Sequence, residues 1–249
     1  MTYAVITVAG ISSRFNHGEE TPVLKCIYHT GDIKKTLLFS ILKKCYGCKG
    51  VIVVGGYQFK ELEKYTEDLR GEFPFEIDVI CNPYYETYGS GYSLKIGLQE
   101  CYSKKDCTDV LFIEGDLFFD GESLAYIING KKSIFTVNSD PIMSKKAVAV
   151  YVNEQNEIKY LYNTQHGLFL LTEPFSEIYN SGQVWKFSER NAAVQVMAEM
   201  EETEWHGTNL CFVERYFNHV SRENVEIVKF KRWMNCNTRE DYRNCEIYL

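Results

Sequence analysis

An arginine near the amino terminus follows a loop of small residues, and that loop follows an apolar run. The residues in order are Tyr3–Val8, Ala9, Gly10, Ile11, Ser12, Ser13 and Arg14. The glycine lets the backbone approach a ligand because it has no side chain. Backbone N–H groups and the two serine hydroxyls can bond phosphate oxygens, and the Arg14 guanidinium is a fork of donors that matches phosphate geometry. The pattern predicts a polyphosphate contact at Ala9, Gly10, Ser12, Ser13 and Arg14, with an ordinary strand-to-turn connection as the alternative.

Two common phosphate-binding motifs are excluded by the same residues. No Gly-Lys-Ser/Thr follows, so the loop is not a Walker loop, and the Gly-x-Gly-x-x-Gly dinucleotide fingerprint is also missing. Lys25, which follows Thr21-Pro-Val-Leu, is a second cation that can reach an anionic ligand. Lys145 and Lys146 are weaker candidates of the same kind, since most lysines are solvated surface groups.

Acidic residues follow the apolar run Val110–Ile113 directly, in the triplet Glu114-Gly115-Asp116. A carboxylate at that place points off the edge of a sheet. Mg²⁺ prefers oxygen ligands and is often held by one or two protein groups together with substrate phosphates. We therefore predict Asp116 as a magnesium ligand, with a Gly-Asp turn that closes the strand as the alternative.

A segment rich in glycine, serine and tyrosine lies between these two sites. It runs from Asn82 to Ser93 and reads Asn-Pro-Tyr-Tyr-Glu-Thr-Tyr-Gly-Ser-Gly-Tyr-Ser. Its glycines allow close approach, and its serines can bond the edge of a base. The predicted nucleotide contacts are Asn82, Gly89, Ser90 and Ser93. The alternative is that Ser90 caps a helix between turn residues Gly89 and Gly91.

The first half of the chain alternates strand and helix. Predicted strands are Tyr3–Val8, 51–54, 77–81 and 110–113, and predicted helices are 33–45, 59–69 and 92–101. This alternation implies right-handed crossovers and a three-layer α/β/α sandwich with a mainly parallel, Rossmann-like sheet. In open sheets of this kind ligands bind outside the carboxyl ends of the strands. Four polar segments are expected there: 10–15, 82–93, 115–119 and 235–241.

The second half has the pattern of a smaller mixed α+β lobe. Predicted strands are 133–137, 147–151, 158–162 and 225–228, with a hairpin turn at 153–156 and helices at 188–200 and 209–218. With no repeat and no linker, we predict one domain over residues 1–249. Its nucleotide-binding part covers about 1–120 and its acceptor-binding lobe about 121–235.

Composition limits the partners of this protein. The 249 residues are 45% hydrophobic and 24% charged, as in globular proteins, and the formal net charge is −7. That charge argues against broad nucleic-acid binding or attraction to anionic membranes. No apolar stretch approaches the ~20 residues of a membrane span, and the amino terminus lacks a signal-peptide pattern, so we expect a cytoplasmic protein.

Cysteine and histidine spacing predicts no metal centre. The nine cysteines include one Cys45-Tyr-Gly-Cys48 pair without a second pair, so zinc and disulfides are not expected. The histidines at 17, 29, 166, 206 and 219 show no ligand spacing. No Ser-His-Asp or Cys-His arrangement stands out.

Taken together, these motifs resemble the nucleotidyltransferase superfamily of sugar-phosphate, choline-phosphate and molybdenum-cofactor nucleotidyltransferases, with its MobA-like fold. The family opening, strand-Ala-Gly-x-Gly/Ser-x-Arg-Met, is similar to Ala9–Phe15, and the family lysine looks like Lys25. Gly115-Asp116 resembles the family's metal-binding strand end. Asn237-Thr-Arg-Glu-Asp-Tyr242 looks like its late Asp/Asn-Thr-x-x-Asp motif. Asn82–Leu94 is most like the segment of bacterial choline-phosphate cytidylyltransferases.

The sequence departs from the family pattern at two places. Phe15 replaces the commoner methionine, a mild packing change. Asn237 stands where many members have a second metal-binding aspartate. An amide oxygen can still bind magnesium, although the loss of a negative charge should weaken the site.

The resemblance implies a nucleotidyltransferase. It would transfer a nucleotidyl group, CMP from CTP first of all, to a small phosphorylated or phosphonylated acceptor such as choline phosphate, and would release pyrophosphate. Arg14, Lys25 and Asp116 would be catalytic, and Asp116 and Asn237 would hold Mg²⁺. The alternatives are a sugar-1-phosphate nucleotidyltransferase, a glycosyltransferase, which usually carries Asp-x-Asp at the metal strand, and a non-catalytic nucleotide-binding protein.

An acceptor with an ammonium group would be recognised by aromatic faces and a nearby carboxylate. Candidate aromatic residues near polar segments of the second half are Tyr162, Trp185, Trp205 and Trp233. A core role is the alternative for each of them. The sequence does not predict the oligomeric state.

Overall fold

The computed structural model describes residues 1–144, 148–162 and 167–249. Predictions that involve Lys145, Lys146, Ala147 and His166 lie outside these residues.

The strands of the described residues follow the predicted order, with additions in the second half. They are β1 (Thr2–Thr7), β2 (Gly50–Gly55), β3 (Glu76–Cys81), β4 (Asp109–Glu114), β5 (Leu117–Phe119), β6 (Ser133–Asn138), β7 (Ala149–Asn153), β8 (Ile158–Leu161), β9 (Phe175–Phe187), β10 (Val225–Lys229) and β11 (Trp233–Asn235). β5 and β11 form a separate antiparallel pair.

The helices alternate with single strands from β1 to β4, but not in the second half of the chain. They are α1 (Leu37–Lys44), α2 (Phe59–Asp68), α3 (Ser90–Ser103), α4 (Gly121–Asn129), α5 (Arg190–Glu199), α6 (Glu202–Trp205), α7 (Leu210–His219) and α8 (Arg239–Glu246). Short 3-10 turns occur at Lys25–Ile27 and Arg222–Asn224. No helix in the described parts of the chain combines the length and the apolar character that crossing a membrane requires.

A mainly parallel sheet forms the middle layer, as predicted. Its order is β10-β6-β9-β4-β1-β2-β3, and β7 and β8 extend it beside β9. β4, β1, β2 and β3 run parallel to one another, and β10 is parallel to β6. β9 is antiparallel to both β4 and β6 and joins the two parallel groups. The sheet therefore takes strands from both halves of the chain.

Two hydrophobic cores cover the two faces of this sheet, which makes the three-layer sandwich. Successive side chains of a strand point to opposite faces. Accordingly Val5 joins a core with Leu94 of α3 and Val213 of α7. Its neighbour Ala4 joins the other core, with Ile41 of α1.

Helix α1 begins at Leu37, later than residue 33, where the predicted helix 33–45 begins. Thr36 caps it, since its hydroxyl accepts a hydrogen bond from Phe39 N at 3.0 Å, and a capping hydroxyl ends the extended segment before it. Ile33 is 42% exposed and lies outside the helix. The prediction that Ile33 belongs to this helix was wrong.

The longest strand, β9, was not predicted from the sequence. Its first residues, Phe175, Ser176 and Glu177, are exposed, and only its second part is buried without interruption. Its register against β6 shifts between Phe135 and Val137, and Gln183 has φ 54°. A bulged strand with an exposed start loses the alternation that predicts a strand from sequence.

Asp120 connects the start of α4 to the chain that enters β11. Asp120 Oδ1 accepts a hydrogen bond from Ser123 N at 2.8 Å, and Oδ2 accepts from the N–H groups of Lys231 and Arg232 at 3.0 and 3.1 Å. We expect Asp120→Ala to lower the free energy of unfolding by about 2 kcal/mol, because a helix cap is lost and two backbone donors lose their acceptor. Urea unfolding at neutral pH measures this change, with the exposed Asp68→Ala as control.

The Asp120 contribution should also depend on pH. Burial raises the pKa of Asp120, but the hydrogen bonds to Ser123, Arg232 and Lys231 outweigh it and the pKa is lowered. A depressed folded-state pKa gives stability that is present above the unfolded value of about 3.9 and is lost as pH falls through the folded value. The stability difference between wild type and Asp120→Ala should therefore shrink in acid. A difference that stays constant there would contradict this assignment.

Candidate active site

A cleft of about 460 Å³ opens at the carboxyl ends of β1 and β4. Leaving aside Lys145 and Lys146, which lie outside the described residues, the residues predicted for phosphate, nucleotide or metal binding all line it: Ala9, Gly10, Ser12, Ser13, Arg14, Lys25, Asn82, Gly89, Ser90, Ser93, Asp116 and Asn237. Residues far apart in the chain meet here because parallel strands end at the same edge of the sheet.

Two polar pairs cross the cleft between distant segments. Lys25 Nζ lies 2.9 Å from Asp116 Oδ2, and these side chains are only 14% and 24% exposed. Arg14 Nη2 donates a hydrogen bond to Asn237 Oδ1 at 3.0 Å. The arginine-bearing loop, the acidic strand end and the late motif therefore form one site.

The loop after β1 has an unusual backbone conformation before Arg14 and a packed side chain after it. Ser12 has φ 56°, a left-handed conformation that is costly for a residue with a side chain and is found most often at functional sites. A Cβ at Gly10 would meet no atom within 4 Å, which leaves its face open to a ligand. Phe15 is buried and packs edge-to-face against Tyr28, with ring centroids 5.3 Å apart.

The carboxylate of Asp241 positions Asn237. Asp241 Oδ2 accepts hydrogen bonds from Asn237 N at 3.1 Å and from Thr238 N and Oγ1 at 2.8 Å each. Thr238 Oγ1 accepts in turn from Asp241 N, which completes a capping box at the start of α8. The late Asn-Thr-x-x-Asp motif is thus a helix start that aims its first residue at Arg14.

The segment between β3 and α3 is held mainly by internal hydrogen bonds. Asn82 Nδ2 donates to Ser93 Oγ at 2.9 Å, and Asn82 Oδ1 accepts from Tyr84 N at 2.8 Å. Ser90 Oγ accepts from Asn209 N at 3.1 Å. A Cβ at Gly89 would lie 2.3 Å from Gly207 O, so this position needs glycine for close approach. Ser90 is the first residue of α3 and lines the cleft, but Gly89 is the N-cap and no side chain caps this helix, so the alternative that Ser90 caps it was wrong.

Glu114 also lines the cleft, although the sequence analysis gave it no role. Asn209 Nδ2 donates to Glu114 Oε1 at 2.7 Å. Burial first, and then the negative charge of Asp116, raise the pKa of Glu114, while Asn209 and Lys25 act in the opposite direction. Glu114 could have been predicted as a site residue, because it is an acidic residue at the end of a buried strand. Its partner Asn209, at the start of α7, could not be found by spacing.

The donor set of the cleft fits magnesium. Asp116 Oδ1 is buried and has no hydrogen-bond partner among the described residues, which is a cost that a cation would remove. Carboxylate and amide oxygens are hard ligands, and Mg²⁺ keeps several waters, so few protein ligands suffice. No group of three or more His, Cys, Asp or Glu residues in the described ranges could hold a metal ion by itself.

The four aromatic residues predicted for the acceptor do not line this cleft. Trp185 is a core residue with no exposed surface, and its Nε1 donates to Tyr160 Oη at 2.7 Å, so its predicted acceptor role was wrong. Trp205 is 1% exposed and stacks on Phe212. Trp233 donates through Nε1 to Gly182 O, and Tyr162, 41% exposed, follows β8.

Tyrosines from the segment before α3 line the cleft instead. Tyr85 and Tyr88 are both at its wall. The Tyr88 ring stacks on His206, with centroids 3.7 Å apart and an interplanar angle of 12°. The Tyr84 ring packs on the Tyr88 ring, with ring centroids 4.9 Å apart. The Tyr-rich run Asn82–Ser93 therefore supplies the aromatic surface that the tryptophans do not.

Comparison with known proteins gives a domain family and a set of similar structures. A family model described as "Domain of unknown function (DUF6564)" matches residues 21–249. A search of curated protein sequences finds no match.

Solved structures of nucleotidyltransferases share this fold over more than nine tenths of their length. One is a protein assigned as a glucose-1-phosphate thymidylyltransferase from Bacillus anthracis, with a TM-score of 0.71, 11% identity and coverage of 100% of this chain and 95% of that one. A CTP:phosphocholine cytidylyltransferase from Streptococcus pneumoniae has a TM-score of 0.65, 15% identity and coverage of 99% and 98%. An inositol-1-phosphate CTP transferase from T. maritima has a TM-score of 0.67, 15% identity and coverage of 97% and 91%.

Proposed function

The chain belongs to the DUF6564 family, and we propose that it is a nucleotidyltransferase that joins a nucleoside triphosphate to a small phosphorylated or phosphonylated acceptor. The observation that carries the proposal is the convergence of Arg14, Lys25, Asp116 and Asn237 in one cleft. Two cations beside oxygen ligands for a metal are what a triphosphate needs. The fold shared with the three nucleotidyltransferases supports the same conclusion.

The reaction makes one bond and breaks one. A phosphate oxygen of the acceptor forms a bond to the α-phosphorus of the nucleotide. The bond from the α-phosphorus to its bridging oxygen breaks, and its electron pair leaves with pyrophosphate. The attacking oxygen is already anionic near neutral pH, so the chain does not have to provide a general base.

The residues of the cleft would act by positioning and by neutralising charge, since two polyanions must meet. Arg14 and Lys25 would bind the β- and γ-phosphates and stabilise the charge that builds on pyrophosphate. The loop Ala9–Ser13 would bring backbone N–H groups to the phosphates. Magnesium held by Asp116 and Asn237 would supply positive charge at the α-phosphate.

Binding of the base is proposed for the Asn82–Ser93 segment. Asn82 and Ser93 are committed to each other by a hydrogen bond, so they hold the start of α3 in place. Gly89 N already donates to His206 O at 2.7 Å, so Gly89 would form part of the wall, and Ser90 would offer its hydroxyl to the base.

CTP and an amino-alcohol phosphate such as choline phosphate are the proposed substrates. The Asn82–Leu94 motif supports this choice, and so do the two CTP-dependent enzymes among the similar structures. Tyr85 would present an aromatic face to the ammonium group, whereas the ring of Tyr88 is already stacked against His206 and Tyr84. A sugar-1-phosphate nucleotidyltransferase is the second candidate, favoured by the glucose-1-phosphate enzyme.

A pyrophosphate-release screen tests the proposal. Four nucleoside triphosphates with Mg²⁺ are tested against choline phosphate, ethanolamine phosphate, aminoethylphosphonate and hexose 1-phosphates, with reactions that lack acceptor as controls. We expect the highest rate for CTP with an amino-alcohol phosphate or phosphonate. UTP or dTTP with a hexose phosphate would favour the second candidate. Nucleotide binding without pyrophosphate release in any reaction would contradict the enzyme and indicate a nucleotide-binding protein.

A further inference from the structure

We propose that Glu114 is a second carboxylate ligand of the divalent cation in this cleft, beside Asp116. The inference rests on the proposed function, since it concerns the metal of the same site. It goes beyond the metal pair Asp116 and Asn237 that the sequence motifs imply.

The tightly packed backbone at Gly115 places Glu114 and Asp116 in the same cleft. Glu114 ends β4, and Gly115 N donates a hydrogen bond to Thr7 O at 3.0 Å. A Cβ at Gly115 would lie 2.3 Å from Val8 Cγ1 and 2.9 Å from Thr7 O, so only glycine fits between the two acids. Both carboxyl groups line the cleft.

Glu114 is held through one oxygen and leaves the other available. Oε1 accepts a hydrogen bond from Asn209 Nδ2 at 2.7 Å. Asn209 is 1% exposed and is itself fixed through its N–H to Ser90 Oγ. Within the described residues, Oε2 of Glu114 has no hydrogen-bond partner. A side chain oriented in this way is a preorganised ligand.

The carboxylates of Glu114 and Asp116 are not fully neutralised by nearby cations, so a further cation can bind. Lys25 is bonded to Asp116 Oδ2 at 2.9 Å, and within the described residues no cation forms a salt bridge with Glu114. Asp116 Oδ1 is buried and has no hydrogen-bond partner in that part of the chain. Two carboxylate oxygens in one cleft therefore lack a positive partner, and a divalent cation can serve both at once.

Asn237 is less suited than Glu114 to be the second metal ligand beside Asp116. Its Oδ1 already accepts the hydrogen bond from Arg14 at 3.0 Å. It is also a neutral amide, whereas Glu114 can bring a full negative charge to a hard cation. Glu114 would thus compensate for the aspartate that Asn237 replaces in the family motif.

Direct metal binding tests this role without any reaction. Mn²⁺, a paramagnetic substitute for Mg²⁺, is titrated into the nucleotide-free protein, and free Mn²⁺ is measured by electron paramagnetic resonance. We expect Glu114→Gln, which keeps the shape and removes the charge, to weaken Mn²⁺ binding at least about tenfold. Asp116→Asn should weaken it similarly. Glu122→Gln, on an exposed helix surface, is the control and should bind like wild type, and circular dichroism checks that all variants are folded.

The outcomes separate this inference from the proposed function. Wild-type affinity in Glu114→Gln would overturn the inference while pyrophosphate release by the wild type would still support the function. Loss of Mn²⁺ affinity in Glu114→Gln would support the metal role even if no acceptor in the screen reacted. A wild-type protein without measurable Mn²⁺ affinity would overturn it. So would a Glu114→Gln variant that changes only the KM for acceptor, because that pattern would make Glu114 an acceptor contact.

Discussion

Asp116→Ala is expected to lower kcat at least about a hundredfold, with the pair of substrates that the screen identifies. One carboxylate oxygen of Asp116 is buried and has no hydrogen-bond partner among the described residues, and the other oxygen is paired with Lys25. Its loss would remove the proposed metal ligand and free the lysine from its place. Removing one charge-stabilising group from such a site typically costs about 3 kcal/mol of transition-state stabilisation.

Steady-state kinetics of pyrophosphate release measures this effect. Asp68→Ala, at an exposed position of α2, is the matched control and should keep wild-type rates. Thermal unfolding should show that Asp116→Ala remains folded. Full activity in a folded Asp116→Ala protein would refute the assignment of the metal ligand.

Lys25→Ala is the second large expected effect, again about a hundredfold or more in kcat. The Lys25 side chain is only 14% exposed and lies in the cleft with Arg14. In the absence of bound phosphate it is paired with Asp116. With triphosphate bound, we propose that it turns to the β- and γ-phosphates, where negative charge builds as pyrophosphate leaves. Its loss should therefore lower kcat more than it raises the KM for nucleotide.

The control for this prediction is Lys64→Ala, at an exposed position of α2. Because Lys25 and Asp116 touch, their effects should not be additive. The double variant Lys25→Ala/Asp116→Ala should lose much less than the product of the two single losses. A variant Lys25→Ala with wild-type kcat, or fully multiplicative losses in the double variant, would contradict the shared role of the pair.

Position at strand ends explains why much of this cleft could be predicted from the sequence. Arg14 follows β1, Asn82 follows β3, and Asp116 follows β4 closely. The carboxyl ends of parallel strands meet at one edge of the sheet. Once the three apolar runs were recognised as strands, the residues that follow them could therefore be predicted to lie close together.

Residues on irregular or distant segments could not be found in the same way. Trp185 was predicted to line an acceptor pocket because it lies near polar segments of the second half, yet it belongs to the bulged strand β9 and is completely buried. Asn209 fixes Glu114 from the start of α7. Whether a side chain faces a core or a cleft depends on register and on neighbours from elsewhere in the chain, and neither is present in the local sequence.

A single reaction followed by phosphorus NMR tests the central claim most directly. The full-length protein is incubated with Mg²⁺, CTP and choline phosphate, or with the best pair from the screen, and all phosphorus-containing products are identified. The account predicts equal amounts of pyrophosphate and of a new diphosphate that joins the nucleoside monophosphate to the acceptor. Orthophosphate in place of pyrophosphate, or an unchanged triphosphate although the nucleotide binds, would contradict it.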